Sequence, residues 1–169
     1  RVPNLASLDL SAAGVELDES GAVACEDTQT NVPHIYAAGD VTMDMALANV
    51  AELEGRFAVE RMFGQTPASI DYRAMSTIMF LSPEVASVGL GEQQARERGI
   101  AHRVASIDNQ LITRNVAMRN TRGFIKLLAA PDDTILGLRV VGPQASSCIQ
   151  GIALLIGLGG KLGDIARIV

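Results

Sequence analysis

The sequence predicts an α+β fold. Residues 71–169 form a domain with an antiparallel sheet and flanking helices, and residues 1–70 form a shorter region of mixed elements. Three observations lead there. After Asp71 come five short runs bounded by turn residues, "STIMF", "VASVGL", "HRVASID", "GFIKLLAA" and "ILGLRVVG", which read as strands. "PDDT" sits between the last two and predicts an antiparallel hairpin. The helical segments fall among these strands without the regular βαβ alternation of a parallel sheet.

Taken in order, "LASLDLSAAG" predicts a brief helix ending at Gly14, and "DESGAVAC" a turn leading into a short strand. "VPHIYAAGD" predicts a buried strand whose apolar run, Ile35 to Ala38, stops on Gly39 and Asp40. Residues Ala46 to Met62 have helical periodicity. Ala46, Val50, Leu53 and Phe57 share a stripe with Leu47, Ala51 and Ala58, while Glu52, Arg56, Glu60 and Arg61 fall elsewhere. Asp44 suits the positive end of that helix. "GQTPASIDY" has the glycine, proline and small polar residues of a linker. "GEQQARERG" predicts a short helix capped by Gly91, and "ASSCIQGIALLIGL" a longer one. Four glycines, Gly151, Gly157, Gly159 and Gly160, would weaken the latter by about 1 kcal/mol each if all were helical.

Composition narrows the function. The formal net charge is −5, and basic residues are scattered without interleaved aromatics, which argues against a nucleic-acid partner. The longest apolar stretch, "GIALLIGLGG", is about half of the roughly 20 residues a membrane-spanning helix requires, so no membrane partner is expected. Cys25 and Cys148 have neither disulfide-framework nor metal-ligand spacing. They read as small buried hydrophobes in a reducing cytoplasm, and no metal site is expected. His34 and His102 are each alone and read as structural or surface residues. Met75, Met79 and Met118 read as core or dimer-contact filling. "GLGGKLGD" follows an apolar helix and matches neither phosphate-loop pattern.

Several blocks, in order, resemble the FAD-dependent pyridine nucleotide–disulfide oxidoreductases, and dihydrolipoyl dehydrogenases within them. "RVPN" resembles the family's Gly-Arg-x-Pro-Asn segment without its glycine. "TNVPHIYAAGD" resembles its second flavin-binding motif, and "ALANVAELEG" the helix after it. "FLSPEVASVGLGEQQA", "GFIKLLA", "ILGLRVVG" and "GDIARIV" resemble successive parts of its C-terminal interface domain. The family's Gly-x-Gly-x-x-Gly turn and its Cys-x-x-x-x-Cys pair are not in this sequence, and its catalytic His segment would follow Val169.

The resemblance implies a remnant of an α/β FAD-binding domain over residues 1–70 and an interface domain over residues 71–169, truncated before the catalytic His. It implies a parent enzyme that moves electrons between NAD(P)H, FAD and a lipoyl-type or other small disulfide substrate, as a homodimer through residues 71–169. No catalytic residue lies in the chain on this reading. Asp40 would hold hydroxyls of FAD, Gly39 would allow close backbone approach, and the amides of Ala46, Leu47, Ala48 and Asn49 would face the flavin's pyrimidine edge. Alone, the 169 residues are expected to hold neither FAD nor NAD(P) and to be inactive. The alternatives are a dimerisation module without flavin, or a related flavoprotein such as a mercuric reductase or a soluble transhydrogenase.

Overall fold

The computed structural model describes residues 2–42 and 45–167. The chain divides into two units, Arg1–Ile70 and Asp71–Val169.

In the first unit, residues 5–14 form successive tight turns, not the expected helix. The amides of Leu8, Ala12, Ala13 and Gly14 each bond three residues back. Asp9, with φ at 44°, breaks the helical path that a longer-range ladder would need. At the next turn the Asp18 carboxylate accepts the Ser20 hydroxyl and the amides of Ser20 and Ala22. These donors, the hydroxyl foremost, hold its carboxyl below the usual carboxylate range. Two short strands follow, β1 (Cys25–Glu26) and β2 (Gln29–Thr30), paired antiparallel. Asp27 and Thr28 both have positive φ, as a two-residue primed hairpin turn demands.

The run from Ile35 to Ala38 is not a regular strand. Tyr36 makes one antiparallel bridge to Gln29, and the Ala37 amide bonds Thr28 O at 2.8 Å. Among the described residues that is the run's only bridge, and a continuous ladder needs more. Ala37 still reaches the core formed with Val15 and Val23, against which Leu5, Leu10, Val32, Ile35 and Val41 pack. Helix α1 (Ala48–Met62) starts two residues later than its periodicity suggests and buries Val50, Glu54, Phe57 and Ala58. Asp44, expected to favour its start, lies outside the described residues.

The second unit is a five-stranded sheet with antiparallel pairing throughout, in the order β3 (Thr77–Met79), β4 (Val85–Gly89), β7 (Ile135–Val141), β6 (Phe124–Ala129), β5 (Arg103–Asp108). The α+β expectation is borne out, hairpin included. Among the described residues four α-helices accompany the sheet: α2 (Glu92–Glu97), α3 (Thr113–Ala117), α4 (Ala145–Gly157) and α5 (Leu162–Ala166). The β6–β7 turn is closed by Asp132, which accepts the Thr134 amide at 3.1 Å, the Thr134 hydroxyl at 2.9 Å and the Lys161 ammonium at 3.2 Å. Those contacts pull its pKa down to about 2.

Strand alternation gives the sheet two unlike faces. Ala86, Val88, Leu138 and Val140 meet α4, which answers with Ala145, Ile149, Ala153 and Ile156, one residue per turn on one side. On the other face Ser87, Arg139, Lys126 and Ser106 form a row across four strands. There Lys126 bonds Glu92 of α2 at 3.0 Å, and this ammonium is the first cause of Glu92's lowered pKa. Burial pushes the Arg139 pKa down, and its guanidinium donates to Val88 O and Gly89 O.

Only Gly151 and Gly157 of the four glycines lie within α4. Gly159, with φ at 68°, ends the helix, and the Gly160 amide returns to Leu155 O at 2.7 Å. A glycine in that place favours the stop, so the expected penalty falls on two positions. Among the described residues no helix is long and apolar enough to cross a membrane, and no group of three metal-ligating side chains gathers.

Two outcomes test this account. Ile149 is fully buried between α4 and the sheet, so Ile149→Ala is expected to cost about 2–5 kcal/mol in denaturant unfolding. Asp132 has a depressed folded pKa, so its charge contributes stability above the ordinary Asp range that is lost as pH falls towards about 2. The gap in thermal midpoint between the wild type and Asp132→Asn is expected to close over that fall. A gap that does not change with pH would refute the assignment.

Candidate functional site

Ala38 is extended, with φ at −148° and ψ at 150°, and Gly39–Val41 then make one turn of 3-10 helix. Gly39 has φ at 79°, a conformation that L side chains rarely adopt. A Cβ added there would also stand 3.0 Å from the Ala51 Cβ of α1. The close approach that this glycine permits is therefore to the helix. Both backbone polar groups of Gly39 are engaged. Its carbonyl accepts the Thr42 amide at 3.0 Å and the Thr42 hydroxyl at 2.9 Å. Its amide donates to Glu54 Oε2 at 2.6 Å. Asp40 follows directly and is exposed.

Glu54 was not among the sequence candidates. Its side chain is 1% exposed, as deep as the apolar residues around it. A signal was nonetheless present, because Glu54 lies four residues after Val50 on the stripe that faces the core. A charged residue type at such a position must find polar partners.

The start of α1 supplies the second element. Leu47 is its N-cap and forms no side-chain cap, and no acidic residue occupies the first turn. The Leu47 amide is already engaged, with Met45 O at 2.7 Å, and the Leu47 carbonyl accepts Val50 and Ala51. Ala48 and Asn49 are the first two helical residues and are exposed. First-turn amides lack acceptors within the helix and carry its partial positive charge. Ala46 is half-buried just before them. The turn that carries Gly39 and Asp40 thus packs on α1, the helix that begins at Ala48. An exposed carboxylate follows a glycine tied to α1, and the N-terminus of α1 carries no acidic side chain of its own. A carboxylate accepts from hydroxyls, and helix-end amides favour an electron-rich partner, so this donor and acceptor set fits a flavin with its polyol chain.

The residues expected to do less are also placed. Cys25 is half-buried and Cys148 exposed, so neither is the buried hydrophobe expected. Cys148 lies on α4 one position from Ile149, which takes the core-facing place. Cys25 lines an open groove with Glu26, Asp27, Gln29 and Arg61, and none of the expected site residues lines it. His34 is exposed, and the His102 Nδ1 lies 2.8 Å from Ile100 O. Met79 and Met118 are about half exposed, which excludes them from the core of the unit as described.

Comparison with known proteins gives a consistent identification. The profile of the pyridine nucleotide-disulphide oxidoreductase dimerisation domain matches residues 75–169, and that of pyridine nucleotide-disulphide oxidoreductase matches residues 1–55. The dihydrolipoyl dehydrogenase of Geobacillus stearothermophilus is 37% identical over 98% of this chain and 36% of its own length. That of Bacillus subtilis is 36% identical over 100% of this chain and 36% of its own. Among solved structures, LpdA from Mycobacterium tuberculosis superposes with a TM-score of 0.85 at 28% identity, over 98% of this chain and 37% of its own. The HOCl-induced flavoprotein disulfide reductase RclA from Escherichia coli gives 0.80 at 27%, over 95% and 38%. The chain therefore spans little more than a third of the relatives it matches. With the dimerisation-domain profile covering more than half of its residues, the chain belongs to the pyridine nucleotide-disulphide oxidoreductase family.

Proposed function

We propose that this chain serves a cytoplasmic, flavin-dependent oxidoreductase of the dihydrolipoyl dehydrogenase type. Residues 1–70 would contribute the end of an FAD-binding domain, and residues 71–169 an interface domain. The single observation that carries this reading is the exposed Asp40 carboxylate on a turn that is hydrogen-bonded to α1 through Gly39. When bound, FAD supplies the electron-carrying chemistry that links NAD(P)H to a disulfide substrate.

The chain's own residues bind and orient. Asp40 accepts hydrogen bonds from polyol hydroxyls and so fixes the cofactor along its chain. The amides of Ala48 and Asn49 would donate to an electron-rich part of the cofactor, where a helix end favours added negative charge. Each such terminal interaction is worth about 0.3–2 kcal/mol, which tunes a potential without breaking bonds. Leu47 and Ala46 shape the approach, the Leu47 amide being occupied by Met45 O. The second unit supports a two-fold partner of the same chain. Met79, Phe80 and Leu81 stand exposed at and just beyond the end of edge strand β3, and Val104 and Ile107 on edge strand β5. Apolar residues on unpaired strand edges ask for cover.

In the full-length protein that carries this sequence, Asp40→Ala removes a charge-assisted acceptor. It is expected to weaken flavin retention about 10- to 100-fold, read as flavin fluorescence released on dialysis. Retention equal to that of the wild type would overturn the assignment of Asp40. Sedimentation of that protein is expected to show a dimer at micromolar concentration, and a monomer alone would contradict the interface reading.

A further inference from the structure

We propose that Glu54 is a positioning residue, whose buried carboxylate holds the Gly39 amide and thereby fixes the turn that presents Asp40 to the flavin. This rests on the flavin reading above and adds to it a residue outside the expected site. Three observations converge. Glu54 Oε2 lies 2.6 Å from the Gly39 nitrogen, and the side chain is almost wholly excluded from solvent. Gly39 adopts φ at 79° and bears a methyl-sized space already taken by Ala51, so the turn can move neither freely nor towards the helix. Glu54 and Ala51 lie on the same helix whose first turn carries Ala48 and Asn49. One helix therefore both supplies the helix-end amides and holds the turn that carries Asp40, and Glu54 is a polar link between them.

A buried carboxylate is costly unless hydrogen-bonded, and the Gly39 amide is a donor that meets this need. A role in helix packing alone would be met by any side chain of similar volume. The positioning role requires an acceptor at the reach of Glu and not a negative charge as such. Two conservative variants separate these roles. Glu54→Gln keeps the length and offers an amide oxygen to the Gly39 amide. Glu54→Asp keeps the charge and withdraws the acceptor by one methylene. Exposed Glu52 of the same helix provides the control variant Glu52→Gln.

The test uses the full-length flavoprotein and three readouts: hydrogen exchange of the Gly39 amide, flavin dissociation, and the flavin midpoint potential. Glu54→Asp is expected to speed Gly39 exchange and flavin dissociation by about tenfold or more and to shift the potential. Exchange of amides in the later turns of α1 should stay unchanged. Glu54→Gln and Glu52→Gln are expected to stay within about threefold of the wild type in both rates. Unchanged Gly39 exchange in Glu54→Asp would overturn the hydrogen bond. Faster exchange with unaltered flavin retention and potential would overturn the positioning role. A wild-type protein that takes up no flavin, with Gly39 exchange still responding to Glu54→Asp, would overturn the flavin reading and with it the role of Glu54 towards that cofactor. The hydrogen bond itself would then stand as a purely structural one.

Discussion

The hydrogen bond from the Gly39 amide to Glu54 is the constraint on which the first unit's candidate site depends. A backbone at φ 79° aims its amide where no regular strand would, and a buried amide needs an acceptor. Glu54 supplies it from the core-facing side of α1, between Val50 and Phe57. Glycine is required for the dihedral and again for the contact with Ala51. Two residues fifteen positions apart therefore meet each other's need. The buried carboxylate gains a donor, and the turn gains an anchor.

The same device recurs across the molecule. The Asp18 carboxylate closes a turn by accepting two backbone amides. Asp132 closes the β6–β7 turn by accepting one, from Thr134, together with that residue's hydroxyl. Glu84 accepts the Ser146 amide at 3.1 Å and its hydroxyl at 3.0 Å at the start of α4, where Gln144 is left-handed and offers no cap of its own. The acidic balance of the chain, −5 formally, is thus not simply a solvated surface. Part of it is spent on backbone donors that turns and helix ends leave over, where an anion is the favoured acceptor.

The second unit is organised by a different force. One sheet face and one side of α4 interlock through small and branched side chains, and burial of each larger one is worth about 1.5–3 kcal/mol. The opposite face carries a polar row whose charges are held by Glu92 and by strand carbonyls. The sheet ends in two open edges, β3 and β5, and all six residues of β5 are exposed. A core this one-sided leaves apolar groups of the unit, Met79, Phe80, Leu81, Val104 and Ile107 among them, exposed at its rim.

What could be read directly from the sequence was whatever local pattern decides. The strands of the second unit, the β6–β7 hairpin, α2 with its Gly91 cap, and α4 all follow from periodicity and turn chemistry that neighbouring residues impose on one another. The ordered blocks around Gly39, Asp40 and Ala48 likewise marked one candidate site. Tertiary structure decided the rest. It replaced a helix at residues 5–14 by turns and reduced the Ile35–Ala38 run to a single bridge. It also exposed Cys148, occupied the Leu47 amide and buried Glu54. The turns at residues 5–14 follow the backbone sign at Asp9, and Glu54 meets the amide of Gly39, fifteen residues away. Periodicity records which side of an element is apolar, but it does not record which single polar group lies across the gap.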